Sequence, residues 1–491
     1  MSLSRLSKQV TEALKTVEVF IDTTHVSKNN AASVAEIKNK FIDLKENLQG
    51  MIGSLDEDAE VRTKDLKVPD SSEMLDYREF MTQLSKNRNP SALRELTILL
   101  AKMPPDTIFL GVGSPNPNLY PFESMTVKLK DGTTLDMSGP KLTKVLQYLP
   151  SAGYTPLPPL LKDFQDKFHG AQDWTRKDIL ITSGAQEGTY LAMNMLLNPG
   201  DPLLVQNPLY PGFADIFRPM EVETIPIHMD ENGMRPDLLA QVLEERSKMK
   251  HKKMPKVLYV NPTASNPTGT LLSEDRKKQI YQIARQYDLI ILEDDPYYFV
   301  HFLDKDPLSF LSMDQDQRVI RFDSFSKTLS AGLRLGYVTA PKAFIDRMNL
   351  HLQVTTMHSS GIGQLVAHEL LSTWGCDGYR KYLAEVRKFY KGRRDNVLQA
   401  ADKYLTGLGT WAIPQGGMFL WVTLKPVKDL RSLVTEQCVR EKLLVAPGYA
   451  FNIDSKDSNQ YIRISYSVAT EEQAQEGIKV LGKLIRENLK S

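Results

Sequence analysis

Four polar clusters in this chain each follow a short apolar run, and between them they hold the groups needed to bind a phosphorylated aldehyde. Lys327 closes Asp323-Ser324-Phe325-Ser326-Lys327, and Arg334 stands seven positions on, in Gly332-Leu333-Arg334-Leu335-Gly336. A lysine amine can condense with an aldehyde, while serine hydroxyls and a guanidinium suit a phosphate. Glu293-Asp294-Asp295-Pro296-Tyr297-Tyr298 follows Leu289 to Leu292. Carboxylates at the end of a buried strand are costly unless something cationic meets them. A helix cap or a metal ligand is the plainer reading, but no histidine or further acid cluster completes a metal set, so no metal is expected.

Asn261-Pro262-Thr263-Ala264-Ser265-Asn266-Pro267-Thr268-Gly269 follows Val257 to Val260, and its two X-Pro bonds and glycine order a loop that holds Asn266. Thr182-Ser183-Gly184-Ala185-Gln186-Glu187-Gly188 follows Ile179 to Ile181 and leads into a helix whose free N–H groups can cradle a phosphate. Singly these are an ordinary turn, a common glycine-rich corner and a surface lysine. Together they supply a Schiff-base lysine, a carboxylate, an amide, a phenol and a phosphate cradle, the parts pyridoxal phosphate needs.

The elements that must position these groups can be read from the runs themselves. Ile179-Leu180-Ile181, Leu203-Leu204-Val205, Val257 to Val260, Leu289 to Leu292 and Val319-Ile320 alternate with helical patterns. That order predicts an α/β domain with a mostly parallel sheet and its ligands at the carboxyl ends of the strands. Beyond about Cys376 come helical stretches, strands over Met418 to Leu424 and Tyr461 to Tyr466, and a final amphipathic helix, which predict a smaller α+β domain.

The first seventy or so residues differ. Leu3, Leu6, Val10, Ala13, Val17 and Phe20, and then Val34, Ile37, Phe41, Leu44, Leu48 and Met51, form two heptad-like seams, and Ser33 with Glu36 makes a capping box. A helical hairpin is expected, with a polar linker from Gly53 to Ser72 and a helical partner as one use for it.

The bulk composition narrows the function. A chain of 491 residues, 41% hydrophobic and 25% charged, is that of a globular protein of two to three domains. A net charge of +1 gives no concentrated basic face for nucleic acid or a membrane surface. The two cysteines, Cys376 and Cys438, have no ligand-like spacing and fit a reducing compartment. No apolar run reaches the roughly 18 residues of a membrane helix, and the start lacks a secretory apolar core. Location is expected to be cytoplasmic, with the mitochondrial matrix as the alternative because Arg5, Lys8 and Lys15 lie among Ser and Leu, although Glu12 and Glu18 interrupt that stretch.

From about Leu75 onward the sequence closely resembles the class I/II aminotransferases of pyridoxal-phosphate fold type I, and within them the kynurenine/2-aminoadipate enzymes, with fungal aromatic aminotransferases next. The likeness runs through Asn89-Pro90-Ser91, Pro115-Asn116-Pro117-Asn118, Leu146-Gln147-Tyr148, Glu293 to Tyr298, Asp323 to Lys327 and Gly417-Met418-Phe419-Leu420-Trp421. It implies the fold type I architecture: a large domain with a mostly parallel seven-stranded sheet, a small α+β domain and, here, an added N-terminal helical extension. It implies four segments: 1–73 for the extension and linker, 74–122 for an arm packing with the small domain, 123–375 for the large domain and 376–491 for the small one.

The resemblance also assigns roles. Lys327 holds pyridoxal phosphate and moves the α-proton, Asp294 pairs with the pyridinium nitrogen, and Tyr210 stacks on the ring. Tyr297 and Asn266 meet the phenolic oxygen, while Ser324, Ser326, Arg334 and the amides of Ala185 and Gln186 hold the phosphate. Relatives often carry a hydroxyl residue where Ala185 stands, so only the amide is expected there. Arg463 binds the substrate α-carboxylate through its planar fork, and Gly113 and Arg94 lie near the substrate. Tyr148 reaches the neighbouring subunit's site in a homodimer.

The implied reaction moves an amino group from kynurenine, 2-aminoadipate or an aromatic amino acid to a 2-oxo acid such as 2-oxoglutarate. A C–S lyase or decarboxylase of the same fold is the alternative. An aminotransferase-like transcription regulator is disfavoured because residues 1–73 hold ten basic and thirteen acidic side chains. Gly153-Tyr154-Thr155-Pro156-Leu157-Pro158-Pro159 departs from the family pattern in its prolines.

Overall fold

The computed structural model describes residues 75–491, apart from residues 101, 102, 105, 109, 112, 454–459, 490 and 491. The helical hairpin and linker expected over residues 1–73 lie outside the described residues.

A hairpin of β1 (Ser124–Lys128) and β2 (Thr134–Ser138) precedes the main sheet. That sheet is built from β3 (Lys177–Thr182), β4 (Pro202–Asn207), β5 (Glu223–Asp230), β6 (Gly233–Met234), β7 (Val257–Val260), β8 (Ile290–Asp294), β9 (Val319–Ser324) and β10 (Gly336–Pro341). Its order is β3-β10-β9-β8-β7-β4-β5-β6. The run β5-β4-β7-β8-β9 is parallel, and β10 lies antiparallel between β9 and β3. Seven of these strands make up the expected sheet, and the eighth, β6, is a two-residue antiparallel addition at its edge.

The central strands are buried on both faces, which is why they read as unbroken apolar runs. On one face, the helices Ala185–Leu196 and Lys342–Leu352 close a core around Leu180, Met193, Tyr259 and Phe344. On the other, Pro236–Ser247 and Glu274–Gln286 bury Leu239, Leu243 and Ile280 against Leu258 and Ile291. The proline-rich stretch that departs from the family pattern starts a helix, Leu157–His169, where Pro158 near the first turn costs no helical hydrogen bond.

The smaller part has a four-stranded antiparallel sheet in the order β11-β12-β14-β13, with β11 (Gly409–Trp411), β12 (Phe419–Leu424), β13 (Ala446–Pro447) and β14 (Tyr461–Ser465). The helix Glu471–Asn488 covers it, opened by a Thr470/Gln473 capping box. A long helical segment, Gly361–Tyr404, joins the two parts and is interrupted at Gly375. Helicity resumes there, and Cys376, Tyr379 and Leu383 still pack in the large part, whereas Val397, Ala400 and Ala401 pack under the small sheet. The handover of the core therefore falls between Leu383 and Val397, later than the boundary at residue 376 read from the sequence.

The described start of the arm packs on the large part. Tyr77 meets Phe344 edge-on at 4.8 Å, the Thr82 amide donates to Met195 O at 2.7 Å, and Arg347 donates to Ser85 O and Arg88 O. Phe80 and Met81 fill the apolar back of the two helices on that side, which anchors the segment there.

Candidate active site

Strand alternation separates the acids at the end of β8 into two jobs. Glu293 and Asp295 point to one face and meet Arg321 of β9, whose Nη1 lies 3.1 Å from each. Arg321 Nη2 lies 3.0 Å from Asp323, and all four groups are buried. Glu293 also accepts the amides of Phe310 and Leu311 at 2.8 and 3.0 Å. Arg321 is thus the cation that the buried carboxylates required, and it serves Glu293 and Asp295, one face away from Asp294.

Asp294 points the other way. Its Oδ2 accepts the Tyr259 hydroxyl at 2.6 Å, and its main-chain carbonyl accepts Asn261 Nδ2 at 2.6 Å. Its Oδ1 is buried and has no partner. Burial pushes the carboxyl up to about 6, against the Tyr259 hydrogen bond and Arg321, with Asp323 adding to the rise.

Lys327 ends the short turn Phe325–Lys327 that follows β9, with Ser324 Oγ accepting the Ser326 amide at 3.2 Å. Its Nζ lies 5.7 Å from the centre of the Tyr297 ring. Burial lowers the proton affinity of this amine, and the positive charges of Arg334 and Arg463 lower it further.

Arg334 takes a left-handed backbone (φ 47°) and donates from Nη1 to Ser326 Oγ and Ala331 O, both at 3.3 Å, and from Nη2 to Ser183 O at 3.1 Å. Gly184, at φ 88°, allows this: a Cβ there would stand 2.8 Å from Arg334 Nη2. The guanidinium therefore lies over the start of the helix Ala185–Leu196, where the amides of Ala185 and Gln186 are among the unsatisfied first-turn donors. Gln186 Nε2 donates to Gly212 O at 2.6 Å, tying this corner to the helix Pro211–Phe217 that Tyr210 begins.

Tyr210 and Tyr297 are both held protonated, first by burial; Asp294 and Asp215 add to the effect on Tyr210, and Arg463 opposes it on Tyr297. Arg463, on β14, donates from Nη1 to Asn266 Oδ1 at 2.8 Å. Its guanidinium carbon lies 4.1 Å from the Phe419 ring centre and 4.7 Å from that of Phe451, and its Nε is buried without a partner. The Asn261–Gly269 loop reaches the small sheet closely, since a Cβ on Gly269 (φ 67°) would stand 2.8 Å from Phe419 O. The peptide bonds Asn207-Pro208 and Asn266-Pro267 are both cis.

Lys327, Asp294, Asn266, Tyr210, Tyr297, Arg334 and Arg463 thus gather at one site, each linked to another by a hydrogen bond, a ring contact or an electrostatic effect. Gly113 and Tyr148 stand on exposed surface, Tyr148 with its ring edge-on to His358 at 6.5 Å. Arg94 belongs to the helix Ala92–Leu100, and its side chain lies outside the described residues. Tyr259, Asn261 and Arg321 were not anticipated. Their signal was slight: a phenol inside an apolar run, an asparagine closing it, and an arginine between Ile320 and Phe322.

The arrangement fits pyridoxal phosphate. A buried carboxylate oxygen without a partner suits a protonated ring nitrogen, the Arg334 corner suits a phosphate, and an amine of lowered proton affinity suits an aldehyde carbon. Among the described residues, no group of three His, Cys, Asp or Glu side chains could hold a metal, and no helix is long and apolar enough to cross a membrane.

Residues 118–481 match the family aminotransferase class I and II, and the chain belongs to that family, whose cofactor is pyridoxal phosphate. The mitochondrial kynurenine/alpha-aminoadipate aminotransferase of Mus musculus is 41% identical over 425 residues, covering 84% of this chain and all of that protein. Among solved structures, aminotransferase Aro8 from Candida albicans superposes with a TM-score of 0.76 at 28% identity, covering 85% of this chain and 99% of Aro8. The kynurenine aminotransferase of Pyrococcus horikoshii, solved in complex with PMP, has a TM-score of 0.68 at 31% identity over 85% and 99% of the two chains.

Proposed function

We propose that Lys327 carries the cofactor covalently, and that this aminotransferase takes the amino group of kynurenine, 2-aminoadipate or an aromatic amino acid and gives it to a 2-oxo acid such as 2-oxoglutarate. The names of the similar enzymes support that choice of substrates. The observation that carries the site assignment is the buried, unpartnered Oδ1 of Asp294.

When bound, the cofactor supplies an electron-accepting ring that takes up the electron pair left by the departing α-proton. The chain's own groups do the rest. The Lys327 amine, shifted toward its neutral form, would take that proton from the substrate α-carbon and pass it to the cofactor carbon that holds the nitrogen, so that the amino group stays with the cofactor. Asp294 would keep the ring nitrogen protonated, and Tyr210 would cover the ring. Asn266 has given its Oδ1 to Arg463, which leaves its amide N–H groups, with the Tyr297 hydroxyl, for the ring oxygen. Ser324, Ser326, Arg334 and the Ala185 and Gln186 amides take the phosphate.

Arg463 meets the α-carboxylate of donor and acceptor in turn. Its guanidinium is flanked by two phenyl rings, so its fork has a fixed direction. Arg94 and Gly113 complete the substrate end. A second copy of the chain would bring Tyr148, and would cover the exposed Ile108, Leu110, Leu119 and Phe122 of the arm. The mitochondrial relative supports the alternative location, the mitochondrial matrix, over the cytoplasm.

Lys327→Ala should abolish both the borohydride-reducible cofactor adduct and turnover while the circular dichroism spectrum stays that of wild type. An adduct that survives the substitution would assign the cofactor to another lysine. Absorption spectra of the half-reaction with a panel of amino acids would rank the donors, and matched formation of 2-oxo acid and glutamate would exclude lysis or decarboxylation as the main activity.

A further inference from the structure

Tyr259 lies in the middle of β7, fully buried in the apolar run Val257-Leu258-Tyr259-Val260. A phenol there needs a partner for its hydroxyl. β7 and β8 are parallel with Tyr259 beside Leu292, so Asp294 lies two residues further along and on the same face. The long side chain of Tyr259 spans that diagonal and donates to Asp294 Oδ2 at 2.6 Å, a short bond to a carboxylate.

The ring cannot swing away. It is stacked on Phe213, with 3.6 Å between ring centres and 9° between planes. Phe213 belongs to the helix that begins at Tyr210, so the same helix clamps Tyr259 and carries the tyrosine proposed to cover the cofactor. Two residues beyond Tyr259, Asn261 holds the main-chain carbonyl of Asp294. The end of β7 therefore grips Asp294 at its carboxylate and at its backbone, and leaves Oδ1 as the oxygen without a partner.

We infer that Tyr259 is a positioning residue, which commits one carboxylate oxygen of Asp294 and aims the other at the ring nitrogen of the cofactor. The inference rests on the reading that Asp294 meets that nitrogen. The hydroxyl also favours the carboxylate as an anion, with Arg321 beneath it and against burial and Asp323; Tyr210 and Tyr297 are the other titratable groups facing Asp294. Burial and the Asp294 charge keep the Tyr259 phenol protonated, so it remains a donor.

Tyr259→Phe keeps the ring and its stack on Phe213 and removes the hydroxyl alone. The dissociation constant of pyridoxal phosphate from the apoenzyme should rise about tenfold, the scale of one lost hydrogen bond to a charged group. The pH at which the bound cofactor changes its absorption should also move, while the circular dichroism of the apoenzyme stays that of wild type. In an Asp294→Asn background the same substitution should change the constant by less than about threefold, because the two residues act as one unit.

If Asp294→Asn alone leaves the constant and the spectrum as in wild type, the reading of Asp294 is wrong. If Asp294→Asn changes both while Tyr259→Phe changes neither, the inference is overturned and the phenol is merely a buried group with a satisfied hydroxyl. Should Tyr259→Phe fail to fold, Phe213→Leu loosens the stack and leaves the hydroxyl, and it should displace the spectrum in the same direction by less; no displacement would count against the inference.

Discussion

Asp294 places the chemistry of the site in a single proton. Its folded-state carboxyl is raised from 3.8 to about 6, so the apoenzyme binds that proton more tightly than the unfolded chain does. The contribution to stability is therefore complete below about pH 4 and is lost as the pH rises through about 6. On the proposed pairing, a protonated ring nitrogen would give the anion a partner at Oδ1 and remove this loss from the holoenzyme. The stabilisation conferred by the cofactor, measured as the difference in unfolding free energy between holo- and apoenzyme in urea, should grow by about 2 kcal/mol from pH 4 to 7. Asp295 and Asp323 are also raised by burial, but they are buried alike in both forms and largely cancel in the difference. A gap that stays flat over this range would mean that Asp294 is not the group being paired.

At the scale of the strands, one alternation sorts function from support. Glu293 and Asp295 share Arg321 on the face turned from Asp294, with Asp323 completing the cluster. Arg321→Met preserves length but strands three buried carboxylates, and should destabilise the protein by about 3–5 kcal/mol. Equilibrium unfolding would measure the cost, which should shrink in acid as the carboxylates take up protons; an undiminished cost at low pH would point to packing instead. The same strands explain what could be read in advance. β4, β7, β8 and β9 are buried on both faces and each carries a short apolar run, and the polar residues that close β8 and follow β7 and β9 stand out against those runs. β5 carries Glu223, Thr224, Pro226 and His228 toward the sheet edge, and β10 is bounded by Gly336 and Pro341, so neither has that signature. Arg321 was hidden for another reason: its meaning lies in the register that sets it beside Glu293, and a single strand does not reveal its neighbour. Tyr259 was hidden likewise, since a tyrosine among Val and Leu reads as core until the adjacent strand is in place.

At the scale of the whole molecule, the proposed homodimer makes a prediction about mixtures. Lys327→Ala and Tyr148→Ala would each impair a homodimer. If Tyr148 serves the neighbouring site, a mixed dimer has one site with both defects and one with neither. Unfolding and refolding the two variants together at equal amounts should then restore about a quarter of wild-type turnover, as random pairing requires. No recovery would place Tyr148 in the site of its own chain.

Arg463 belongs to the small sheet and Asn266 to the large part, and the hydrogen bond between them joins the group proposed to grip a substrate acid to the group proposed to touch the cofactor's ring oxygen. Linkage of this kind is reciprocal. Whatever a bound acid does to the charge on that oxygen, the state of the oxygen does equally to the affinity for the acid. The aldehyde and amino forms of the cofactor should thus hold the same carboxylate with different strengths, so that a single guanidinium favours the donor at one stage of the cycle and the acceptor at the next.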